Sequence, residues 1–139
     1  MKMYLAARYS WNDEMRGVRD VLTALGHEVT SRWIDCHAGK YPTSFTPQIL
    51  NSDPEYCASV GQHDVEDIEA ADMLISFTGE GGKGGRHWEH GYAAGLGKRL
   101  AVVGPREHIF HTLPNVEHYP DWRHLVVALT PPELRAGCV

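Results

Sequence analysis

The order of apolar and polar positions along the chain predicts strands that alternate with helices. Short apolar or alternating runs predict strands over Lys2 to Ala7, His27 to Ile34, Asp72 to Thr78, Arg99 to Val103 and Val116 to Tyr119. Apolar and small residues at helical spacing predict helices over Trp11 to Leu25, Ser59 to Ala71, Arg86 to Gly97 and Asp121 to Leu129. This alternation is typical of an α/β fold in which helices cover both faces of a parallel sheet.

The alternation predicts one doubly wound domain over residues 1–139, with a flavodoxin-like or Rossmann-like sheet of five parallel strands in the order 2-1-3-4-5. The switch point of such a sheet lies between strands one and three, so the segments that begin at Ala7 and Thr78 should face each other across one crevice. The segment from Asp35 to Ala58 has no clear period. We expect it to be a long loop with short helical turns that walls a pocket.

The segment between the third strand and the third helix carries the strongest chemical signal. Residues 77–95 read FTGEGGKGGRHWEHGYAAG, a glycine-rich loop followed by a helix of small residues. Glycines let the backbone approach a ligand, and a helix N-terminus offers unpaired N–H groups. We expect Glu89 in the opening turn of this helix, where the dipole would lower the pKa of its carboxyl. An ionised, positioned carboxylate suits a nucleophile or a base, and simple helix capping is the alternative.

Three segments carry a family pattern in a fixed order: Met3 to Ala7, a tyrosine-bearing strand; His63 to Asp72, with the pattern Asp-x-x-x-(I/L)-x-x-(A/S)-Asp; and Gly85 to Ala93, with Gly-x-x-x-Glu-x-Gly-x-Ala. Together they resemble the nucleoside 2-deoxyribosyltransferase superfamily, which includes deoxyribosyltransferases and 2'-deoxynucleoside 5'-monophosphate N-glycosidases. The resemblance implies a deoxyribosyltransferase-like domain. It also implies an enzyme without a cofactor that hydrolyses the N-glycosidic bond of a small nucleoside or nucleotide, or exchanges its base.

The resemblance also implies roles for individual residues. Glu89 would be the nucleophile that attacks the anomeric carbon, Tyr4 would orient it through its hydroxyl, and Asp64 would contact the nucleobase and manage its proton. We expect substrate contacts from seven further residues: Ala6, Arg8, Trp33, Lys83, Gly85, Arg86 and His87. The cations among them favour a 5'-monophosphate. The alternatives are core packing for the tyrosine and the tryptophan, and a solvated helix acid for the aspartate.

Two other functions compete with this hypothesis. A non-catalytic nucleotide sensor could use the same scaffold, because the glycine-rich loop is also similar to the phosphate loop of lysine-decarboxylase-like phosphoribohydrolases, although it lacks that loop's proline and threonine. A flavodoxin-like redox or receiver domain is disfavoured. A receiver needs acids after the first strand and a phosphorylatable aspartate after the third, where this chain has Arg8-Tyr9-Ser10 and Thr78-Gly79.

Composition narrows the class of partner. The net charge of -5 at pH 7 argues against a nucleic-acid polymer, and no apolar run is long enough to span a membrane. Three separated cysteines, Cys36, Cys57 and Cys138, indicate a reducing compartment, so we expect a cytoplasmic protein.

Two further expectations concern the histidines and the oligomeric state. The i, i+3 spacing of His87 and His90 makes a metal site possible, but imidazoles that face solvent or ligand are commoner, and we expect no metal. Members of the resembled family assemble as dimers or larger oligomers, so we expect a homo-oligomer. The segment from Pro105 to His111 has aromatic and basic content that suits such a contact.

Overall fold

Five strands form one all-parallel sheet in the order β2-β1-β3-β4-β5. The computed structural model describes residues 1–35, 45–81 and 84–135. Its strands are β1 Lys2–Ala6, β2 Glu28–Val29, β3 Met73–Phe77, β4 Arg99–Val103 and β5 Val116–Tyr119. The α/β fold class and the strand order predicted from the sequence are confirmed.

Helices connect the strands. The described α-helices are α1 Asn12–Ala24, α2 Pro47–Ser52, α3 Pro54–Ala70, α4 Gly85–Gly95, α5 Trp122–Leu129 and α6 Pro132–Arg135. Short 3-10 helices cover Tyr9–Trp11, Arg32–Asp35 and Ile109–Thr112. Within the three described ranges, none of these helices combines the length and the apolar character needed to cross a lipid bilayer.

The centre of the sheet is the centre of the core. Every residue of β3 is at most 5% exposed, which explains why this strand is an uninterrupted apolar run apart from Ser76. The neighbouring β1 is equally buried from Met3 to Ala6, and it includes Tyr4 at 0% exposure. A buried tyrosine hydroxyl needs a hydrogen-bond partner inside the protein.

The second strand is much shorter than predicted, and the predicted span of His27 to Ile34 is wrong. The backbone of Leu5 at the strand edge is bonded by side chains instead: its N–H donates to Ser31 Oγ at 2.6 Å, and its carbonyl accepts from Trp33 Nε1 at 2.8 Å. Because these side chains satisfy the edge of β1, the chain can leave the sheet and turn into a 3-10 helix at Arg32.

The segment predicted as a loop from Asp35 to Ala58 is helical over much of its described part. The helix α2 is one of the short helical turns expected there, and α3 begins at Pro54 rather than at Ser59. Proline is favoured at the first helical position because it has no N–H to satisfy, and Thr46 Oγ1 caps α2 by accepting from Ile49 N–H at 3.3 Å. Residues 36–44 lie outside the described part of the chain.

Candidate active site

Two residues far apart in the sequence meet at the base of a cavity. The hydroxyl of Tyr4, in the buried strand β1, donates a hydrogen bond to Glu89 Oε2 of the helix α4. This bond satisfies the tyrosine hydroxyl and fixes the orientation of the half-buried carboxylate. Within the described ranges, the second carboxylate oxygen, Oε1, makes no hydrogen bond.

Burial, rather than the helix dipole, sets the ionisation of Glu89. The helix begins at Gly85, so Glu89 is its fifth residue and lies beyond the opening turn in which the dipole acts. Burial raises the pKa of Glu89 to about 8. The hydrogen bond from Tyr4 partly offsets this rise, and the negative charge of Asp64 adds to it. The predictions of a first-turn position and of a lowered pKa are therefore wrong, because desolvation outweighs the dipole.

A second carboxyl group shares this environment. Asp64 lies half-buried on α3, and burial raises its pKa to about 7, with a further rise from the negative charge of Asp67 and an opposing effect of Arg32. Asp67 accepts from Arg32 Nε at 2.8 Å and from the Arg32 backbone N–H at 3.0 Å. With pKa values of about 7 and about 8, Asp64 and Glu89 each hold a proton in a large fraction of molecules near neutral pH, and Glu89 holds it more tightly.

The carboxyl pair lines an open cavity of about 400 Å³. This volume lies within the range of small-molecule sites. The other lining residues are Gly61, Gln62, Val65, Gly85 and Trp88. A second cavity of about 540 Å³ contacts another face of α4, but none of its lining residues in the described part of the chain is a carboxylate, so we assign the candidate active site to the smaller one.

The arginines predicted to hold a phosphate already have acceptors in the protein. Arg8 donates to the carbonyl of Glu80, and its guanidinium carbon lies 5.6 Å from the centroid of the Trp11 ring. Arg86 is buried and donates to the Phe77 carbonyl at 3.2 Å and to Glu107 Oε1 at 2.5 Å. Neither cation lines the cavity that holds Glu89, so the phosphate preference inferred from them gains no support from the structure. Lys83, the third predicted cation, lies outside the described residues.

The remaining predicted contacts divide between the cavity and other places. Gly85 lines the cavity as the first residue of α4. Ala6 is fully buried at the end of β1. Trp33 is 9% exposed and belongs to the hydrophobic core, as the alternative of core packing for this tryptophan predicts. His87 lines the second, larger cavity.

Helical register relates most of the lining residues that were not predicted to ones that were. Gly61 lies three positions before Asp64 and four before Val65 on α3, and Trp88 lies three positions after Gly85 on α4. Positions three and four apart are neighbours on a helix. Trp88 is 56% exposed and stacks on Tyr92 with ring centroids 5.2 Å apart.

One group of side chains has the composition of a metal site. His87 meets His108 and His111, which come from the connection between β4 and β5. The sequence pointed instead to the pair His87 and His90, because two histidines separated from His87 by more than 20 positions give no local signal.

Two solved structures share the fold. No protein-family model matches this sequence, and no curated protein matches it. The 2-deoxyribosyltransferase of the psychrotolerant bacterium Bacillus psychrosaccharolyticus superposes with a TM-score of 0.69 and 23% identity, over 93% of this chain and 96% of that chain. The CMP N-glycosidase BcmB of Clostridium botulinum superposes with a TM-score of 0.58 and 20% identity, over 93% of this chain and 98% of that one. At the level of the fold, these neighbours confirm the resemblance that the three sequence motifs indicated.

Proposed function

We propose that this chain is an enzyme that cleaves the N-glycosidic bond of a 2'-deoxynucleoside or of its 5'-monophosphate, with water or a second nucleobase as the acceptor. The observation that carries this proposal is the hydrogen bond between Tyr4 and Glu89 in a cavity that also contains Asp64. One structural neighbour is a deoxyribosyltransferase and the other a CMP N-glycosidase, so both of their names refer to chemistry at a glycosidic bond to a nucleobase.

Glu89 would act as the nucleophile in its ionised form. As the bond between C1' and the base nitrogen breaks, its electron pair leaves with the base and positive charge develops on the sugar. The carboxylate stabilises that charge and forms an ester bond to C1'. Tyr4 holds Oε2 and so leaves Oε1 to face the sugar. Burial removes water from the carboxylate, which raises its pKa and also keeps the anion reactive once it forms.

Asp64 would supply the proton that the leaving base needs. A carboxyl group with a pKa of about 7 is protonated in a large fraction of molecules at neutral pH, which suits a general acid. In the free protein the proton favours Glu89, whose pKa is the higher of the two, so the productive form, with Glu89 ionised and Asp64 protonated, is a minor one that bound substrate would have to favour. After the base leaves, ionised Asp64 can accept a proton from the attacking water. Water or a second base then attacks C1' and breaks the ester, which regenerates Glu89.

The experiment that tests this function measures free base. The purified protein is incubated with the deoxynucleosides, their 5'-monophosphates and the matching ribose compounds, with and without a second free base, and the products are separated by chromatography. We expect base release from at least one deoxy compound, and the added base distinguishes transfer from hydrolysis. Comparison of each nucleoside with its monophosphate decides the preference for a 5'-phosphate.

Glu89→Gln is the matched variant, because it keeps the shape of the side chain and removes its nucleophilic charge. A folded wild-type protein that releases no base from any compound contradicts the proposal. If that protein binds a nucleotide tightly without turnover, and Glu89→Gln binds it equally well, the chain is a nucleotide sensor instead.

Homo-oligomerisation stays a prediction of the same proposal. Ile109 and Phe110, within the predicted contact segment, are 73% and 58% exposed and supply apolar surface for a neighbouring subunit. A dilution series by light scattering measures the assembly. A monomer with full activity at every concentration contradicts the prediction.

A further inference from the structure

A cluster of histidines occupies a face of α4 that does not carry Glu89. His87 comes from the helix, whereas His108 and His111 come from the connection between β4 and β5. One ring nitrogen from each of the three lies within 4.8 Å of the others. His108 Nε2 and His87 Nδ1 form a hydrogen bond at 3.2 Å, and an ion bound by both would replace the proton between them. Two nitrogens on a tetrahedral zinc ion with Zn–N bonds of about 2.0–2.1 Å are separated by about 3.3–3.4 Å, so this pair already has a suitable spacing.

The cluster leaves one candidate ligand atom without a partner. Among the described residues, His111 Nε2 is buried and makes no hydrogen bond. The side chain of His111 is only 1% exposed, so solvent does not compensate its nitrogen. A buried polar atom without a partner destabilises the fold, and a bound ion is one of the recognised explanations for such an atom.

We propose that His87, His108 and His111 bind a divalent transition-metal ion of the zinc class. Imidazole nitrogens suit zinc, copper, nickel and cobalt, whereas magnesium and calcium prefer oxygen ligands. Three histidines leave a fourth coordination position for water or another ligand. Glu107 Oε1 lies 3.8 Å from His87 Nε2 and contributes negative charge next to the ion. Since Glu107 is also bonded to Arg86, it acts as an outer partner of the site.

The hydrogen bonds around His111 predict moderate affinity. Its Nδ1 accepts from the backbone N–H of Glu107 at 3.0 Å, which places the ring proton on Nε2. Coordination through Nε2 requires that proton to move to Nδ1, which gives up the hydrogen bond from Glu107. The metal would therefore be dissociable. It would fasten the connection between β4 and β5 to α4, and it would not touch a substrate in the cavity of Glu89.

Metal titration of the chelator-treated full chain tests the site. Zinc chloride is titrated in a calorimeter, and cobalt chloride is titrated with visible absorption, which reports tetrahedral coordination. We expect one ion per chain and a rise in the melting temperature with zinc, since an ion that binds only the folded state stabilises it. His108→Gln and His87→Gln should each weaken zinc binding at least about tenfold. His124→Ala, which removes an exposed histidine on α5, is the matched control and should bind zinc as the wild type does.

Two further measurements keep the test of the metal site decisive if a variant fails to fold. Circular dichroism checks that each variant folds, and imidazole resonances of the unaltered protein report binding without any substitution. Perturbation of three histidine rings by one equivalent of zinc supports the proposal. A folded wild-type protein that shows no saturable binding of one ion, or affinity that is unchanged in both glutamine variants, overturns it. Both results are independent of whether the protein cleaves a glycosidic bond.

Discussion

Two faces of the helix α4 bury titratable groups with opposite consequences. One face presents Glu89 to the cavity that it shares with Asp64, and the other presents His87 to His108 and His111. Burial raises the pKa of Glu89 to about 8 and that of Asp64 to about 7, but it lowers the pKa of His111 to about 4. The same desolvation therefore keeps protons on the carboxyl groups and removes them from the imidazole.

The comparison shows how one short helix can serve two sites. His87 and Glu89 are only two positions apart, but two positions on an α-helix correspond to a rotation of about 200°. Their side chains therefore enter different cavities. Burial keeps a carboxyl group protonated and an imidazole unprotonated, so the residue type decides the protonation state. The position on the helix decides which cavity the side chain lines.

Removing the carboxylate of Glu89 gives the largest expected effect. We expect Glu89→Gln to lower kcat for base release at least about a thousandfold, because the amide cannot form the ester to C1'. Chromatographic rate measurements on the best substrate check this, with His124→Ala as a control of unchanged activity. If the variant retains more than about a tenth of the wild-type rate, Glu89 is not the nucleophile, and the proposed catalytic use of its face of α4 is wrong.

Asp64→Asn should have the next largest effect, a decrease in kcat of roughly a hundredfold, because the leaving base loses its general acid. The kcat/KM of the wild type should peak between pH 7 and pH 8 and fall above about pH 8, because the productive form needs ionised Glu89, with a pKa of about 8, and protonated Asp64, with a pKa of about 7. This alkaline decrease should be absent in the variant. An unchanged alkaline decrease in Asp64→Asn would show that another group donates the proton.

Tyr4→Phe should lower kcat about tenfold with little change in KM. The hydroxyl orients Glu89 through a hydrogen bond to a charged group, and Tyr4 does not line the cavity itself. Steady-state kinetics separate the two parameters. If the substitution changes KM alone, Tyr4 contributes to substrate binding and does not position the nucleophile.

The smallest expected effect concerns stability. The pKa of Glu89 in the folded state lies above its ordinary value, so the folded state binds this proton more tightly than the unfolded state. The stability that this proton contributes is lost as pH rises from about 4.5 to about 8. Between pH 6 and pH 9, the wild type should lose about 1 kcal/mol or more of unfolding free energy relative to Glu89→Gln.

Urea unfolding at the two pH values measures this difference, and Glu133→Gln on the exposed helix α6 serves as the control. If the wild type and Glu89→Gln lose the same stability between the two pH values, the carboxyl group of Glu89 is hydrated. That result would contradict the burial of Glu89, on which the comparison of the two faces of α4 depends.

The sequence determined the sheet because the relevant signals are local. Buried strands of a parallel sheet are short apolar runs, and the predicted bounds of β4 and β5 agree with the structure. The alternation of strands with helices was sufficient to predict the strand order. Motif resemblance singled out Tyr4, Asp64 and Glu89. In the structure, Tyr4 is hydrogen-bonded to Glu89, and Asp64 and Glu89 line the same cavity.

Only the tertiary structure decided how each side chain is used. The shortness of β2 depends on bonds from Ser31 and Trp33 to Leu5, and the engagement of Arg86 depends on Glu107, all of which are contacts between distant positions. The pKa of Glu89 follows from how much water the whole fold removes from it, which no local pattern records. The histidine cluster likewise exists only where the connection between β4 and β5 meets α4. The spacing of apolar residues along a chain determines its strands and helices, whereas the desolvation of a side chain and its hydrogen-bond partners depend on tertiary packing.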